Sequence, residues 1–316
     1  MMVDSEYFAA PGLSNSGLRD LAVSPLRYWW RNLSPDRPKD EATPEMQIGS
    51  ALHAAILEPE SFHQRYACEC IPPDGCLDTI EDLRNALDAV GLKAKGTAKG
   101  PIIQQVQDAL PNAPILAVLK QQHAIEHAGK VIFKDADWQR ICGMKAALLQ
   151  EPRVMAILDG PGKPEQPIFV KDTETGILLK GKLDWLAPTL TMELKTFSQK
   201  RGKSIDKSVA DAIFYEAYYR QAVMYAILRG WPKDFSGEFV MAFVESDPPH
   251  ETRLRVLRPK TAGNANLYWV KAQLEVKQMI RLYAECQQHF GDAPWRYACE
   301  IVPLCDEELP GMAYAA

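Results

Sequence analysis

Two short apolar segments on either side of Pro188-Thr189 constrain this chain more than any other feature. Residues 176–187 read Gly-Ile-Leu-Leu-Lys-Gly-Lys-Leu-Asp-Trp-Leu-Ala, and residues 190–196 read Leu-Thr-Met-Glu-Leu-Lys-Thr. Their length, apolar content and turn-residue boundaries predict two β-strands. Strand alternation puts Glu193 and Lys195 on one face and Met192 and Leu194 on the other. A hairpin centred on Pro188-Thr189 sets Asp184 directly opposite Glu193. Facing carboxylates repel and weaken a strand pair. A divalent cation between them removes that penalty and gives the neighbouring Lys195 a purpose, so the hairpin reads as a metal site.

The pattern Asp, short gap, Glu-x-Lys is loose by itself, but here it has ordered companions. Upstream stands Gly49-Ser-Ala-Leu-His53-Ala-Ala-Ile-Leu-Glu-Pro59, then Glu165-Gln-Pro-Ile-Phe169; downstream is Tyr218-Tyr219-Arg220-Gln221-Ala-Val-Met-Tyr225. The opening Leu13-Ser-Asn-Ser-Gly-Leu18 with Ser24-Pro25, and the strand-like Phe239-Val-Met-Ala-Phe-Val-Glu-Ser-Asp-Pro-Pro249, complete the set. Together they resemble the RecB-like branch of the PD-(D/E)XK nuclease superfamily, and within it the nuclease domain of RecE-type exonucleases (exodeoxyribonuclease VIII) of phages and prophages. The likeness runs from about residue 7 to about 310 and is least over 68–130.

That resemblance implies an α/β fold: a restriction-endonuclease-like core with a mixed central β-sheet flanked by helices, a helical N-terminal region and a small helical insert. It implies hydrolysis of duplex DNA from its ends, 5′→3′, leaving 3′ single-stranded tails for recombination with a RecT-like annealing protein, by a homo-oligomeric ring. Mg²⁺ is the expected cofactor, with Mn²⁺ able to substitute, since hard oxygen ligands suit it. Asp184 and Glu193 are the expected metal ligands, the Leu194 carbonyl a third, and Glu165 a ligand or a wall of the site. His53 is expected to ligate or position a second metal, although a lone helical histidine is more often structural. Lys195 is expected to orient or deprotonate the attacking water; the second role requires a lowered pKa. Gln221 and Tyr225, with Tyr218 on the same helix face, are expected to hold a phosphate or a frayed base, the alternative being a buried aromatic seam. A structure-specific or single-strand nuclease on the same core is an alternative, and a non-catalytic DNA-binding protein another, although Asp184, Glu193 and Lys195 are all retained.

At 316 residues, 47% of them hydrophobic and 24% charged, the chain can bury a full core, and it is read as a single nuclease domain over 1–316. The Met-Met-Val-Asp-Ser-Glu-Tyr start has no signal-peptide character and no apolar run reaches membrane-spanning length, so no membrane partner and a cytoplasmic location in a bacterial host are expected. A net charge of −5 argues against a broad DNA-binding surface. Basic residues nevertheless cluster: Lys195, Lys200, Arg201, Lys203 and Lys207 fall close together, as do Arg19, Arg27, Arg31, Arg37 and Lys39. Lys200, Arg201 and Lys203 are taken as DNA contacts, the alternative being a solvated charge run.

Seven cysteines, at 68, 70, 76, 142, 286, 299 and 305, include no C-x-x-C and suit reduced thiols. Some RecB-like nucleases hold an iron–sulfur cluster with one early and three late cysteines. Arg296 stands where the close pair would be completed, so a cluster is not expected.

Along the chain, residues 14–33 predict a helical pair capped at Ser14 or Asn15 and interrupted at Ser24-Pro25. Residues 35–44 read as a loop, 45–57 as a helix carrying His53 with an Ile48/Leu52/Ile56 stripe, and 78–111 as a helix–loop–helix insertion. The insertion resembles SAP/HeH-type DNA-binding hairpins, with Lys93, Lys95 and Lys99 in its loop; simple packing on the core is the alternative. A helix over 135–158, strands 166–171, 176–187 and 190–196, a helix over 208–229, strands 238–245 and 251–257, and a helix over 262–290 follow, then an irregular 291–316.

Overall fold

The computed structural model describes residues 4–37 and 42–297. Lys39, Cys299, Cys305 and most of the 291–316 segment therefore lie outside the described residues.

The chain opens with α1 (Asp4–Ala9), α2 (Asn15–Val23) and α3 (Pro25–Asn32). Ser14 caps α2 by accepting from the Gly17 amide at 3.2 Å. Ser24 serves two helices: its amide donates to Asp20 O at the end of α2, and its hydroxyl accepts from the Arg27 amide to start α3. In α4 (Pro44–Leu57), Thr43 supplies the cap and Ile48, Leu52 and Ile56 are buried. Pro59 ends that helix by opening another, α5 (Pro59–Arg65), which runs into β1 (Tyr66–Cys68).

Residues 77–116 fold as a unit around α6 (Ile80–Ala89) and α7 (Lys99–Ala109). Thr79 and Asp82 form a capping box, and Leu83, Leu87, Ile102, Val106 and Ile115 make a buried cluster of their own. Backbone bonds Leu77 N→Pro114 O (2.7 Å) and Leu116 N→Leu77 O (3.0 Å) hold the two ends together. Unforeseen from the sequence are α8 (Leu116–Glu126) and β2 (Val131–Phe133), the parallel partner of β1. The helix expected over 135–158 is two, α9 (Asp135–Gln150) and α10 (Pro152–Leu158). Pro152 lacks an amide proton and so begins a new helix under the Glu151 cap.

The central sheet has the order β3-β4-β5-β6-β7: Lys163–Lys171, Leu178–Leu186, Leu190–Phe197, Glu238–Glu245 and Thr252–Leu257. Its pairs are antiparallel except β5–β6, which is parallel and is joined by a crossover of α11 (Ile205–Tyr215) and α12 (Tyr218–Leu228). β6 is buried on both faces. Phe239, Met241 and Phe243 pack towards α12 and the last helix, and Val240, Ala242 and Val244 towards α4 and α9, which is why its sequence is a continuous apolar run. This mixed sheet between helices is the expected restriction-endonuclease-like core.

Two further helix boundaries differ from the sequence reading. The single helix expected over 208–229 is broken at Ala217, whose φ of 53° is left-handed; no glycine or proline marks the break. The last helix, α13 (Leu267–Phe290), starts late because Lys260–Thr261 (β8) and Asn264–Ala265 (β9) form a small hairpin first, turning at Ala262 and Gly263 with positive φ.

Candidate metal centre

The site sits where the sheet comes apart. Between β3 and β4 the ladder runs Pro164↔Trp185 and Gln166↔Leu183, skipping the row that would pair Glu165 with Asp184. Glu165 has a left-handed φ of 52°, which no ladder residue adopts without cost. Between β4 and β5 only Trp185↔Met192 and Leu186↔Thr191 pair, so the ladder stops one row short of Asp184 and Glu193. The register is the one the Pro188-Thr189 turn predicts. Glu165, Asp184 and Glu193 thus share a row across three strands, and in that row the backbone is unpaired on both sides of Asp184. β4 also reverses its faces here: Leu179 and Leu183 pack with α12, whereas Trp185 packs with α4 and α9.

Side chains replace the missing ladder bonds. The Asp184 amide donates to Glu193 Oε1 at 3.1 Å, and the Leu194 amide donates to Asp184 Oδ2 at 2.8 Å. Lys195 Nζ reaches Glu193 Oε2 at 3.0 Å, and Gln221 Nε2, from α12, donates to the same oxygen at 2.9 Å. His53 comes from the opposite face on α4, its Nδ1 3.4 Å from Asp184 Oδ2. Glu165 is ion-paired with Lys182. Thus α4 reaches the split row through His53 and α12 reaches it through Gln221.

One ligand atom each from His53, Glu165 and Asp184 lie within 4.8 Å of one another. Two hard carboxylates and an imidazole at that spacing suit a small divalent cation. The protonation of the cluster agrees. Burial, reinforced by the Asp184 charge and opposed by Lys195, pushes Glu193 up to about 7. Burial also raises Glu165, although Lys182 offsets part of the effect. Burial favours neutral His53, but the Asp184 carboxylate outweighs it and raises the imidazole. Asp184 itself is held below the usual carboxylate range, because His53, Lys195 and the Leu194 amide overcome its burial. Without a cation the cluster is short of positive charge and retains protons in its place. For Lys195, burial lowers the ammonium pKa, yet the neighbouring Glu193 and Asp184 carboxylates prevail and raise it.

Gln221 and Tyr225 are buried and turned towards the cluster, the Tyr225 hydroxyl donating to Lys182 O at 3.1 Å. Tyr218 lies under the Lys195 ammonium, 5.0 Å from the ring centre. Lys200, Arg201 and Lys203 follow β5 on the loop before α11; Lys203 pairs with Asp211 at 2.5 Å, Lys200 lies over Tyr215, and Arg201 is exposed. In the second basic zone, Arg27 and Arg31 share Asp20 and Arg19 pairs with Glu216, so two carboxylates offset part of its charge. In the 77–116 unit, Lys93 pairs with Asp88 and Lys99 with Asp78. Cys68 meets Asp135 and Cys286 meets Tyr297, and among the described residues no cysteine is bonded to another.

Three residues at the site were not foreseen. Lys182 holds Glu165 and stands two positions before Asp184, a spacing that strand alternation could have flagged. Tyr7, buried with its hydroxyl raised to about 12 by burial and by Glu193 against the pull of Lys182, comes from α1 with no local signal. Arg229, at the end of α12, clamps the hairpin turn, donating to Ala187 O, Pro188 O and Thr191 Oγ1 at 2.6–3.0 Å.

Residues 14–308 match the family described as a PDDEXK-like domain of unknown function, DUF3799. The chain belongs to that family. No curated protein matches it. Among solved structures it is similar to a candidate exonuclease from Eubacterium rectale, at 14% identity and a TM-score of 0.50, over 99% of this chain and 100% of that one. It also matches SSO0001 at 12% identity and a TM-score of 0.27, over 65% of this chain and 86% of that one. The first likeness bears on the fold alone. The family description and the mixed sheet mark a PDDEXK-like, nuclease-type domain, and His53, Glu165 and Asp184 are placed where they could hold a metal ion. No described helix is long and apolar enough to cross a membrane.

Proposed function

We propose that this PDDEXK-like domain is a Mg²⁺-dependent exonuclease of RecE type, acting on duplex DNA ends in the bacterial cytoplasm. One observation carries the reading: Glu165, Asp184 and Glu193 share the unpaired row of the sheet, with His53 and Lys195 closing on it from opposite faces. His53, Glu165 and Asp184 would hold the cation, with Glu193, bonded to the Asp184 amide, beside them. A bound divalent ion supplies an activated water and neutralises charge on the phosphoryl group.

The chain's own residues do the rest. Lys195, protonated and anchored on Glu193, offers its charge to the non-bridging phosphate oxygens and orients the attacking water. Gln221 fixes the Glu193 carboxylate so that Lys195 cannot swing away. The ion pair with Lys182 holds Glu165 in its left-handed backbone position. On this reading the products are 3′ single-stranded tails made by 5′→3′ digestion, passed to a RecT-like annealing protein, and a homo-oligomeric ring gives processivity.

The test is digestion of linear duplex DNA labelled separately at its 5′ and 3′ ends, by wild type and Lys195→Ala, with Mg²⁺ or EDTA. Mg²⁺-dependent loss of the 5′-labelled strand by wild type alone, with closed circles spared, is expected. Cleavage of closed circles or of single strands in preference would replace it with a structure-specific or single-strand nuclease. No digestion of any form by folded protein with Mg²⁺ or Mn²⁺ would overturn it.

A further inference from the structure

Beyond the metal cluster, α11 and α13 expose a row of rings that no packing requirement explains. Tyr215 is 70% exposed, Tyr268 54% and Phe214 48%. They are continuous with one another: Tyr215 meets Phe214 at 5.5 Å, Phe214 stacks on Tyr219 at 6.4 Å, and Tyr219 meets Tyr268 at 6.4 Å. Contiguous exposed apolar surface of this kind marks a contact site.

Ammonium groups punctuate the row. Lys200 lies over Tyr215 at 5.3 Å, and Lys271 over Phe214 at 5.1 Å and Tyr219 at 5.7 Å. Lys195 lies over Tyr218 at 5.0 Å, at the start of α12 three residues after Tyr215, so the end of α11 that carries the row lies near the cluster's lysine. The acidic groups nearby are engaged: Asp211 by Lys203 and Lys207, Glu216 by Arg19, and Glu275 by Arg220, Lys271 and the Tyr219 hydroxyl. Rings for bases and cations for phosphates, alternating along one path, form the surface that unpaired nucleic acid selects. Two of the three exposed rings, Tyr215 and Phe214, carry an ammonium over the face, which charge complementarity to a polyanion accounts for and a purely apolar protein partner does not.

We propose that Phe214, Tyr215 and Tyr268, with Lys200 and Lys271, form a ledge on which single-stranded DNA stacks as it enters or leaves the cluster at Lys195. The proposal rests on the nuclease reading for its substrate, and binding without metal separates the two.

The test is fluorescence anisotropy of an oligothymidylate of about twenty nucleotides in EDTA, with the full chain. Wild type is compared with Tyr215→Leu/Tyr268→Leu, which keeps apolar area but removes the rings, and with Tyr215→Phe/Tyr268→Phe. Both tyrosines are exposed, so neither variant endangers the fold. Stacking predicts that the leucine pair binds at least about ten-fold more weakly and that the phenylalanine pair stays within about two-fold of wild type. Unchanged affinity in the leucine pair, equal loss in both pairs, or no binding by wild type would each overturn the ledge. Sedimentation equilibrium on the same proteins gives a further check: dissociation of the leucine pair with intact oligonucleotide binding would assign the face to a second copy and overturn the proposal. Binding by wild type that digests no DNA with Mg²⁺ would sink the nuclease reading and leave the ledge standing.

Discussion

Asp184 and Glu193 exchange bonds across a row where their backbones do not pair: the Asp184 amide donates to the Glu193 carboxylate, and the Asp184 carboxylate accepts the amide of Leu194. Each acid therefore supports the strand split that exposes the other. Asp184→Ala strands the buried Leu194 amide, at a cost of about 1–3 kcal/mol, whereas Asp184→Asn keeps an acceptor there. Chemical denaturation should show the alanine variant less stable than the asparagine variant, with neither cleaving DNA. Equal stabilities would mean that the carboxylate does not support the split.

Gln221 reaches the acidic cluster through its bond to Glu193. Removing a group that orients a metal-site carboxylate typically costs about 10- to 100-fold in metal affinity or activity. Gln221→Ala is expected to raise the Mg²⁺ concentration for half-maximal cleavage by that factor, with duplex binding in EDTA little changed. A loss of DNA binding in EDTA instead would make Gln221 a DNA contact, as the sequence suggested.

The pH dependence of stability follows from the raised groups. Glu193, near 7, and His53 hold protons more tightly folded than unfolded. Their contribution is full below the unfolded values, about 4.3 and 6.5, and is lost as pH rises through the folded ones. Asp184, held low, acts in the opposite sense and loses its contribution only in acid. Metal-free protein should therefore melt at lower temperature at pH 8 than at pH 5.5, Mg²⁺ should stabilise it more at pH 8, and Glu193→Gln should flatten the profile. Thermal melts in EDTA and in Mg²⁺ check this; a metal-free profile that rises towards pH 8 would refute the charge-deficient cluster.

Gly181 lies on β4 beneath α12, where an added Cβ would come within 2.5 Å of Leu228 Cδ1 and 3.0 Å of Tyr225 Cε1. Gly181→Ala should cost about 1–3 kcal/mol and, by lifting α12, reduce cleavage as Gln221 withdraws. A stable, fully active variant would show that α12 does not position the cluster.

The hairpin register was legible because Pro188-Thr189 leaves little choice of turn, and the two faces of β5 followed from alternation. The splitting of β4 at Asp184 was not: a ladder gap with no inserted residue leaves the hydrophobic pattern nearly intact, and only the reversal between Leu183 and Trp185 betrays it. Glu165 read as either a ligand or a wall of the site because its position depends on a left-handed backbone that its residue type does not announce. Ala217 hid the break between α11 and α12 for the same reason. The exposure of Phe214, Tyr215 and Tyr268 was not legible, since aromatic side chains do not state which way they point.

The bonds joining Leu77 to Pro114 and Leu116 have a bearing on descent. The chain leaves and returns at one place, and what it builds in between has its own apolar centre. Such a detour can be exchanged, enlarged or discarded over generations while its anchor points stay where they are. Related chains are accordingly expected to vary most in this stretch, in size as well as in content, without disturbing the acids of the split sheet.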